Sequence, residues 1–222
     1  NGKPFARYWM HNAFLNIDNR KMAKSLGNFF TVRDIGEKYD LQILRFFMLS
    51  AHYRSPLNFS DELMEAAKNG YERIVNCVDN LNFLMDKKEQ GELTDEERAL
   101  TDRLSVYEQE FDEAMDDDLN TADAISVIFE LVKFANSNVG EQSSKAFVKA
   151  VKDKLTELSD ICGLIVERKK ELLDTDIEAL IEERQQARKD KNFARADEIR
   201  DELLGKGIVL EDTREGVKWK RA

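Results

Sequence analysis

Two hundred and twenty-two residues with 42% hydrophobic and 35% charged side chains, ten glycines and only two prolines describe a helix-rich globular protein and exclude collagen-like, low-complexity and wholly disordered chains. No apolar run approaches the ~20 residues a membrane-spanning helix needs, so no membrane partner is expected. The net charge of −10 is unevenly spread, nine Lys/Arg against four Asp/Glu in residues 1–56, 11 against 26 in 57–167 and 14 against 14 in 168–222, which keeps polyanion contact open at both ends and makes the middle a solvated acidic spacer.

Residues 5–17 mix aromatic and aliphatic side chains and predict a strand, ended by the polar turn Asp18-Asn19-Arg20. Between Leu41 and Ser50 the apolar residues are dense enough for a buried helix, and Pro56 breaks the chain soon after. Ser60 is a candidate N-cap for a long amphipathic helix with Leu63, Ala67, Ile74, Val78, Leu81 and Met85 on one stripe. After an exposed connection near 87–92, Thr94 and Glu97 have capping-box spacing, and Leu100, Leu104, Tyr107, Phe111 and Met115 form the next stripe. Thr121 is a candidate cap for a helix with Ile125, Phe129 and Val132, and a turn near 138–144 leads into a further helix with Phe147, Val151, Leu155, Leu158 and Cys162. Short loops between such helices imply an antiparallel bundle. Beyond a boundary near 167–174, Thr175 and Glu178 have capping-box spacing again, Asn192 can cap a last helix ending at Gly205 or Gly207, and Ile208, Leu210, Val217 and Trp219 alternate as in a hairpin.

The chain opens Asn-Gly-Lys-Pro with neither an initiator Met nor a signal-peptide pattern, so it is expected to begin inside a longer protein. Cys77 and Cys162 look like small buried hydrophobes of a reducing cytoplasm, and with His11 and His52 the only histidines no zinc-ligand spacing exists.

Three places carry chemistry. Lys21-Met22-Ala23-Lys24-Ser25-Leu26-Gly27-Asn28 places two ammonium groups three residues apart in a small loop, as phosphoryl or adenylyl transfer requires; as spacing alone it equally describes a solvated basic turn. Between Asp34 and Phe59, Arg45, His52, Tyr53 and Arg54 sit among dense apolar residues, which fits packing or capping groups. In the tail, Arg188 offers a fork of donors, Asp197 and Asp212 offer acceptors and Phe193 a stacking face, the set that reads single-stranded bases; Phe193 could equally be core, and Asp197 with Arg200 a surface pair.

The loop resembles the Lys-Met-Ser-Lys-Ser signature of class I aminoacyl-tRNA synthetases, with Ala23 for the usual Ser. The Phe5-Ala-Arg-Tyr-Trp-Met-His11 segment, Phe29 to Asp34, Leu44-Arg-Phe46, Ser50 to Phe59, Ala187 to Asp197 and Gly207 to Trp219 are similar to cysteinyl-tRNA synthetases specifically. The resemblance implies the C-terminal half of a cysteine–tRNA ligase: ATP, L-cysteine and the cysteine tRNA with its GCA anticodon react in the parent enzyme through a cysteinyl-adenylate, in the cytoplasm. It implies that Lys24, assisted by Lys21, contacts the ATP phosphates, that Ser25 and Asn28 shape the loop, that Arg33 and Arg54 contact tRNA phosphates, and that Arg188, Phe193, Asp197 and Asp212 read the anticodon. The family's stacking position usually reads Trp where this chain has Phe193. The family's His-Ile-Gly-His signature and zinc ligands would lie upstream of Asn1, so the chain itself holds no metal ligands and is expected to be inactive alone in cysteine activation.

The expected architecture is mostly α. Residues 1–30 form the last strand and signature loop of a Rossmann-like catalytic domain, 31–90 a helical linker facing the tRNA stem, 91–168 an antiparallel helix bundle, and 172–222 a small helix-plus-hairpin anticodon module. Competing readings are a noncatalytic acidic helical interaction module, a related cysteine ligase that acts on an amino sugar and lacks the tail, and another class I synthetase.

Overall fold

The computed structural model describes all residues except 1, 29, 88–90, 168–172, 206–207, 214–215 and 222, and the chain divides into two compact units, Asn1–Arg168 and Lys169–Ala222. In the first, a small sheet is ordered β2-β1-β3, with β1 (Leu15–Ile17) antiparallel to β2 (Arg20–Lys21) and parallel to β3 (Leu57–Phe59). The β1–β2 turn is made by Asp18 and Asn19 at φ 47° and 60°, the left-handed pair that matches strand twist in a two-residue hairpin. The strand expected over 5–17 is therefore confined to three residues. β2 and β3 offer pairing partners only to Leu15–Ile17, and the preceding Phe5, Tyr8 and Trp9 are 91%, 91% and 67% exposed.

Helices follow with caps set by local chemistry. α1 (Val32–Gly36) opens on a Thr31–Asp34 capping box, and α2 (Leu41–Leu49) on Asp40, whose carboxylate accepts from the Gln42 amide. α3 (Asp61–Asp86) is capped by Ser60, and α4 (Asp95–Asp102) by the reciprocal Thr94–Glu97 pair. The stripe from Leu100 to Met115 does not form one helix. It breaks at Arg103, whose N–H bonds the Leu100 carbonyl at 3.2 Å and whose guanidinium lies 5.3 Å from the centre of the Phe134 ring, and α5 (Leu104–Asp116) begins afresh. α6 (Thr121–Asn138) is capped by Asn120, whose side chain accepts from Asp123 N–H, and not by Thr121, whose hydroxyl donates to the Leu49 carbonyl at 2.8 Å. α7 (Lys145–Ile161) is capped by Ser144.

The core of this unit lies where α3, α5, α6 and α7 converge, on fully buried Met64, Ile74, Leu81, Phe111, Ile128, Leu131, Phe147, Leu155 and Leu158. Burying such side chains supplies roughly 1.5–3 kcal/mol each. Cys77 and Cys162 belong to this core as free thiols, and burial pushes the Cys77 thiol up to about 11. α7 ends in a Schellman turn: Gly163 N–H bonds the Asp160 carbonyl at 2.7 Å and Leu164 N–H the Ser159 carbonyl at 2.9 Å, with Leu164 buried. Gly163 has φ +66°, and a Cβ there would lie 2.8 Å from the Arg45 guanidinium. Gly163→Ala is expected to lower stability by roughly 1–2 kcal/mol, the cost of a left-handed alanine, whereas Gly140→Ala, with open space around its Cβ and no positive φ, is neutral in the same urea titration.

The second unit packs α8 (Leu173–Lys189) and α9 (Phe193–Gly205) against the antiparallel hairpin β4 (Ile208–Thr213) and β5 (Gly216–Arg221). Ile177, Ile181, Ile199, Leu203 and Ile208 form its core, with Leu210, Val217 and Trp219 packed around it. α8 begins at Leu173, so Thr175 lies inside the helix and does not start it; its side chain is outside the described residues.

Candidate functional site

The basic loop leaves the sheet at β2 and is built around Asn28. The Asn28 side-chain oxygen accepts from Ala23 N–H at 3.0 Å while its NH₂ donates to the Lys21 carbonyl at 3.2 Å, so one amide belts the two arms of the loop together. A 3₁₀ turn, Lys24–Leu26, and Gly27 at φ +68° close the crest. Met22 and Phe30 pack against the core at the two feet, leaving Lys21, Ser25 and Leu26 exposed. No carboxylate lies within ion-pair distance of Lys21 among the described residues. The Lys24 side chain lies outside the described residues; its backbone sits at the start of the crest. Ala23 contributes only its N–H to the belt, so the missing hydroxyl does not open it.

Arg33 is exposed on α1 with no ion-pair partner among the described residues. Arg54 is engaged: its Nε lies 3.0 Å from Asp118 Oδ2 and 3.0 Å from the Tyr53 hydroxyl, which donates to Asp118 Oδ1 at 2.8 Å. His52 stacks on Tyr53 with ring centres 4.7 Å apart, and its Nδ1 accepts from Arg54 N–H at 3.2 Å.

In the second unit, Arg188 is exposed in the last turn of α8 and Phe193 is the first residue of α9. The turn between them is a Schellman motif made without glycine. Lys191 takes φ +59°, its N–H bonds the Arg188 carbonyl at 3.1 Å, and Asn192 N–H bonds the Ala187 carbonyl at 2.8 Å. Asn192 then caps α9, its side chain accepting from Arg195 N–H at 3.3 Å. Phe193 is 62% exposed, not core, and Asp197 follows it one turn later on the same helical face. Asp197 is exposed and makes no ion pair with Arg200, whereas Arg195 is tied to Glu183 at 2.9 Å and Glu198 at 3.2 Å. These two carboxylates raise the Arg195 pKa further, through hydrogen bonds first and charge second. The Asp212 side chain lies outside the described residues; its backbone pairs with Val217. Trp219 faces Leu210 across the hairpin and packs on its core.

Residues 1–69 match the family model described as "tRNA synthetases class I (C) catalytic domain", residues 110–167 the "DALR domain", and residues 170–219 the "Cysteinyl-tRNA ligase anticodon binding domain". Cysteine–tRNA ligases of Lachnospira eligens, Clostridioides difficile and Lachnoclostridium phytofermentans are 64%, 54% and 56% identical over 100%, 99% and 100% of the chain. The chain belongs to the cysteinyl-tRNA synthetase family. It spans about half the length of the curated relatives it matches, 47%, 47% and 48% of them. A likeness of fold extends to the LeuRS of Agrobacterium radiobacter K84, solved as a ternary complex with tRNA and LeuAMS: TM-score 0.58 and 17% identity over 70% of this chain and 21% of that one. In cysteinyl-tRNA synthetase terms, the loop at 21–28 and the 52–54 cluster fall within the catalytic-domain match, and Arg188, Phe193 and Asp197 within the anticodon-binding match.

Sequence reasoning missed Asp118, the acceptor of the whole 52–54 cluster, which is 65 residues from Tyr53. Its only local signal is a run of aspartates, Asp116-Asp117-Asp118, ahead of the Asn120 cap.

Among the described residues no group of three or more His, Cys, Asp or Glu could hold a metal ion. No helix among them is long and apolar enough to cross a membrane.

Proposed function

We propose that this chain supplies the signature loop and the tRNA-binding modules of a cytoplasmic enzyme that joins L-cysteine to its tRNA. The cysteine carboxylate attacks the α-phosphorus of ATP and pyrophosphate leaves; a ribose hydroxyl at the tRNA end then attacks the carbonyl of the cysteinyl-adenylate and AMP leaves. Lys24 and Lys21 stabilise the charge that develops on the phosphates during the first step. Asn28 fixes the loop arms so that this charge is delivered in one geometry, and Ser25 stands at the crest.

The observation that carries the reading is the exposed face of α9. Phe193 shows most of its ring to solvent on a helix whose Ala196, Ile199 and Leu203 already fill the core, and Asp197 beside it has no ion-pair partner among the described residues. An aromatic plane, a free acceptor and the Arg188 donor fork at one helix hairpin suit unstacked bases. Asp212 contributes a further acceptor in this reading. Arg33, exposed and with no ion-pair partner among the described residues, contacts phosphate, while Arg54 does so only in competition with Asp118.

The test is fluorescence anisotropy of a stem-loop RNA bearing the GCA anticodon, against one with a scrambled anticodon, at two salt concentrations. Preference for GCA that persists at the higher salt is the expected result, since base contacts release few counterions. Equal binding of both RNAs would overturn the assignment of the tail as the reader.

A further inference from the structure

The α5–α6 connection places two consecutive non-glycine residues, Asp118 and Leu119, in the left-handed region at φ 57° and 56°. That conformation is disfavoured for any residue with a Cβ and persists only where surrounding contacts over-determine it. On the bundle side, Leu119 N–H bonds the Met115 carbonyl at 3.0 Å, Asn120 N–H bonds the Ala114 carbonyl at 3.2 Å, and the Asn120 side chain caps α6. Thr121 fastens the start of α6 to the end of α2 through the Leu49 carbonyl.

From this turn the Asp118 carboxylate reaches the 52–54 segment. There it accepts from the Tyr53 hydroxyl at 2.8 Å and pairs with Arg54 Nε at 3.0 Å, while a second guanidinium nitrogen reaches Oδ1 at 3.4 Å. From Tyr53 the connections continue along the backbone. Its carbonyl accepts from Ala13 N–H at 2.8 Å, Leu57 N–H bonds the Phe14 carbonyl at 3.2 Å, and β3 then pairs with β1 in parallel. β1 turns into β2, whose Lys21 carbonyl is one end of the Asn28 belt. A closing turn between two antiparallel helices needs none of this, and glycine would make it with less strain.

We propose that Asp118 is a positioning residue that holds the signature loop in register with the helix bundle, through Tyr53, Arg54 and the Ala13–β1 segment. In this role it sets where the loop stands relative to the helix bundle. Its importance for aminoacylation rests on the function proposed above, but the coupling itself does not.

The test is hydrogen–deuterium exchange on the 222-residue chain and three variants, with no nucleotide or RNA present. Asp118→Asn keeps the shape and removes the charge, Asp118→Gly keeps the left-handed backbone and removes the carboxylate, and Tyr53→Phe removes the phenol bond alone. Segments 12–28 and 52–59 are expected to exchange about tenfold faster in the two Asp118 variants and by a smaller factor in Tyr53→Phe, while the α3 and α7 amides stay within about twofold of the parent. The glycine variant separates strain from contact, because it relaxes the turn yet should still loosen 12–28. Acceleration confined to 116–121, or a uniform acceleration across α3 and α7, would overturn the coupling. Either result leaves the anticodon-binding test unaffected, so the two readings fail separately.

Discussion

Substituting Arg188 or Asp197 by alanine is expected to reduce the preference for a GCA stem-loop over a scrambled one by about 1–3 kcal/mol each, roughly 5- to 150-fold. The two residues act differently. In the proposed reading Arg188 supplies a fork of donors at the C-terminal turn of α8, and its loss should remove hydrogen bonds to base acceptors and some electrostatic attraction, so the salt slope should fall with the affinity. Asp197 is an acceptor on an exposed helical face, and its loss should relax discrimination while non-specific binding rises, because a negative charge has been taken from the face proposed to meet RNA. Phe193→Ala should weaken binding to both RNAs through lost stacking, and Phe193→Trp should strengthen it. Stem-loop titrations of all four variants, with circular dichroism to show that the helix hairpin persists, check the set. Unchanged discrimination in both Arg188→Ala and Asp197→Ala would move anticodon reading elsewhere.

The second large effect lies in the bundle, at Glu97. This side chain is only 7% exposed, yet its carboxylate serves two helices. One oxygen accepts from Thr94 N–H at 3.0 Å, completing the capping box of α4, and the other accepts from Ser144 N–H at 2.7 Å, at the start of α7. Burial alone would raise its pKa, but the bonds from Thr94 and Ser144 together outweigh burial and hold it below the ordinary carboxylate value of 4.5. A group whose folded pKa is depressed stabilises the fold above its unfolded pKa and loses that contribution as pH falls through the folded value. Stability from Glu97 should therefore be complete above pH 4.5 and decline below it. Glu97→Ala leaves two amide donors without their acceptor and is expected to cost about 1–3 kcal/mol at pH 7. Glu97→Gln, which keeps one acceptor and no charge, should cost less. Urea midpoints between pH 3 and 7 check the sign: the gap between parent and Glu97→Gln should narrow towards acid, and a gap that widened would refute the account.

The helical organisation was legible because the signals that set it are local. Ser60 and the Thr94–Glu97 pair each bond an amide three residues on, so a cap can be read from one window of sequence. The limits appear where a side chain has a distant alternative. Thr121 looks like a cap but gives its hydroxyl to Leu49, 72 residues away, and Asn120 takes over. The break at Arg103 is invisible in a stripe whose apolar spacing continues across it. Glu97 was legible as half of a capping box, but not as the acceptor for Ser144, 47 residues on. In the candidate site, the basic loop was legible as a motif, whereas the Asn28 belt depends on hydrogen bonds across a folded loop. Phe193 beside a cap is ambiguous between core and surface until the register of α9 is fixed by Ala196, Ile199 and Leu203. For Arg54, no window around residue 54 contains Asp118.

The three-residue turn at 190–192 closes α8 with two backbone bonds and opens α9 with the same asparagine, so it has no slack. Each residue of a helix advances its side chains by about 100°. One residue added to or taken from this turn would swing Phe193 and Asp197 off the face they share with solvent, or drag Ile199 and Leu203 out of the core. In the proposed reading of the tail, the number of residues between the two helices is thus itself an element of recognition, carried by a length rather than by a side chain that touches a base.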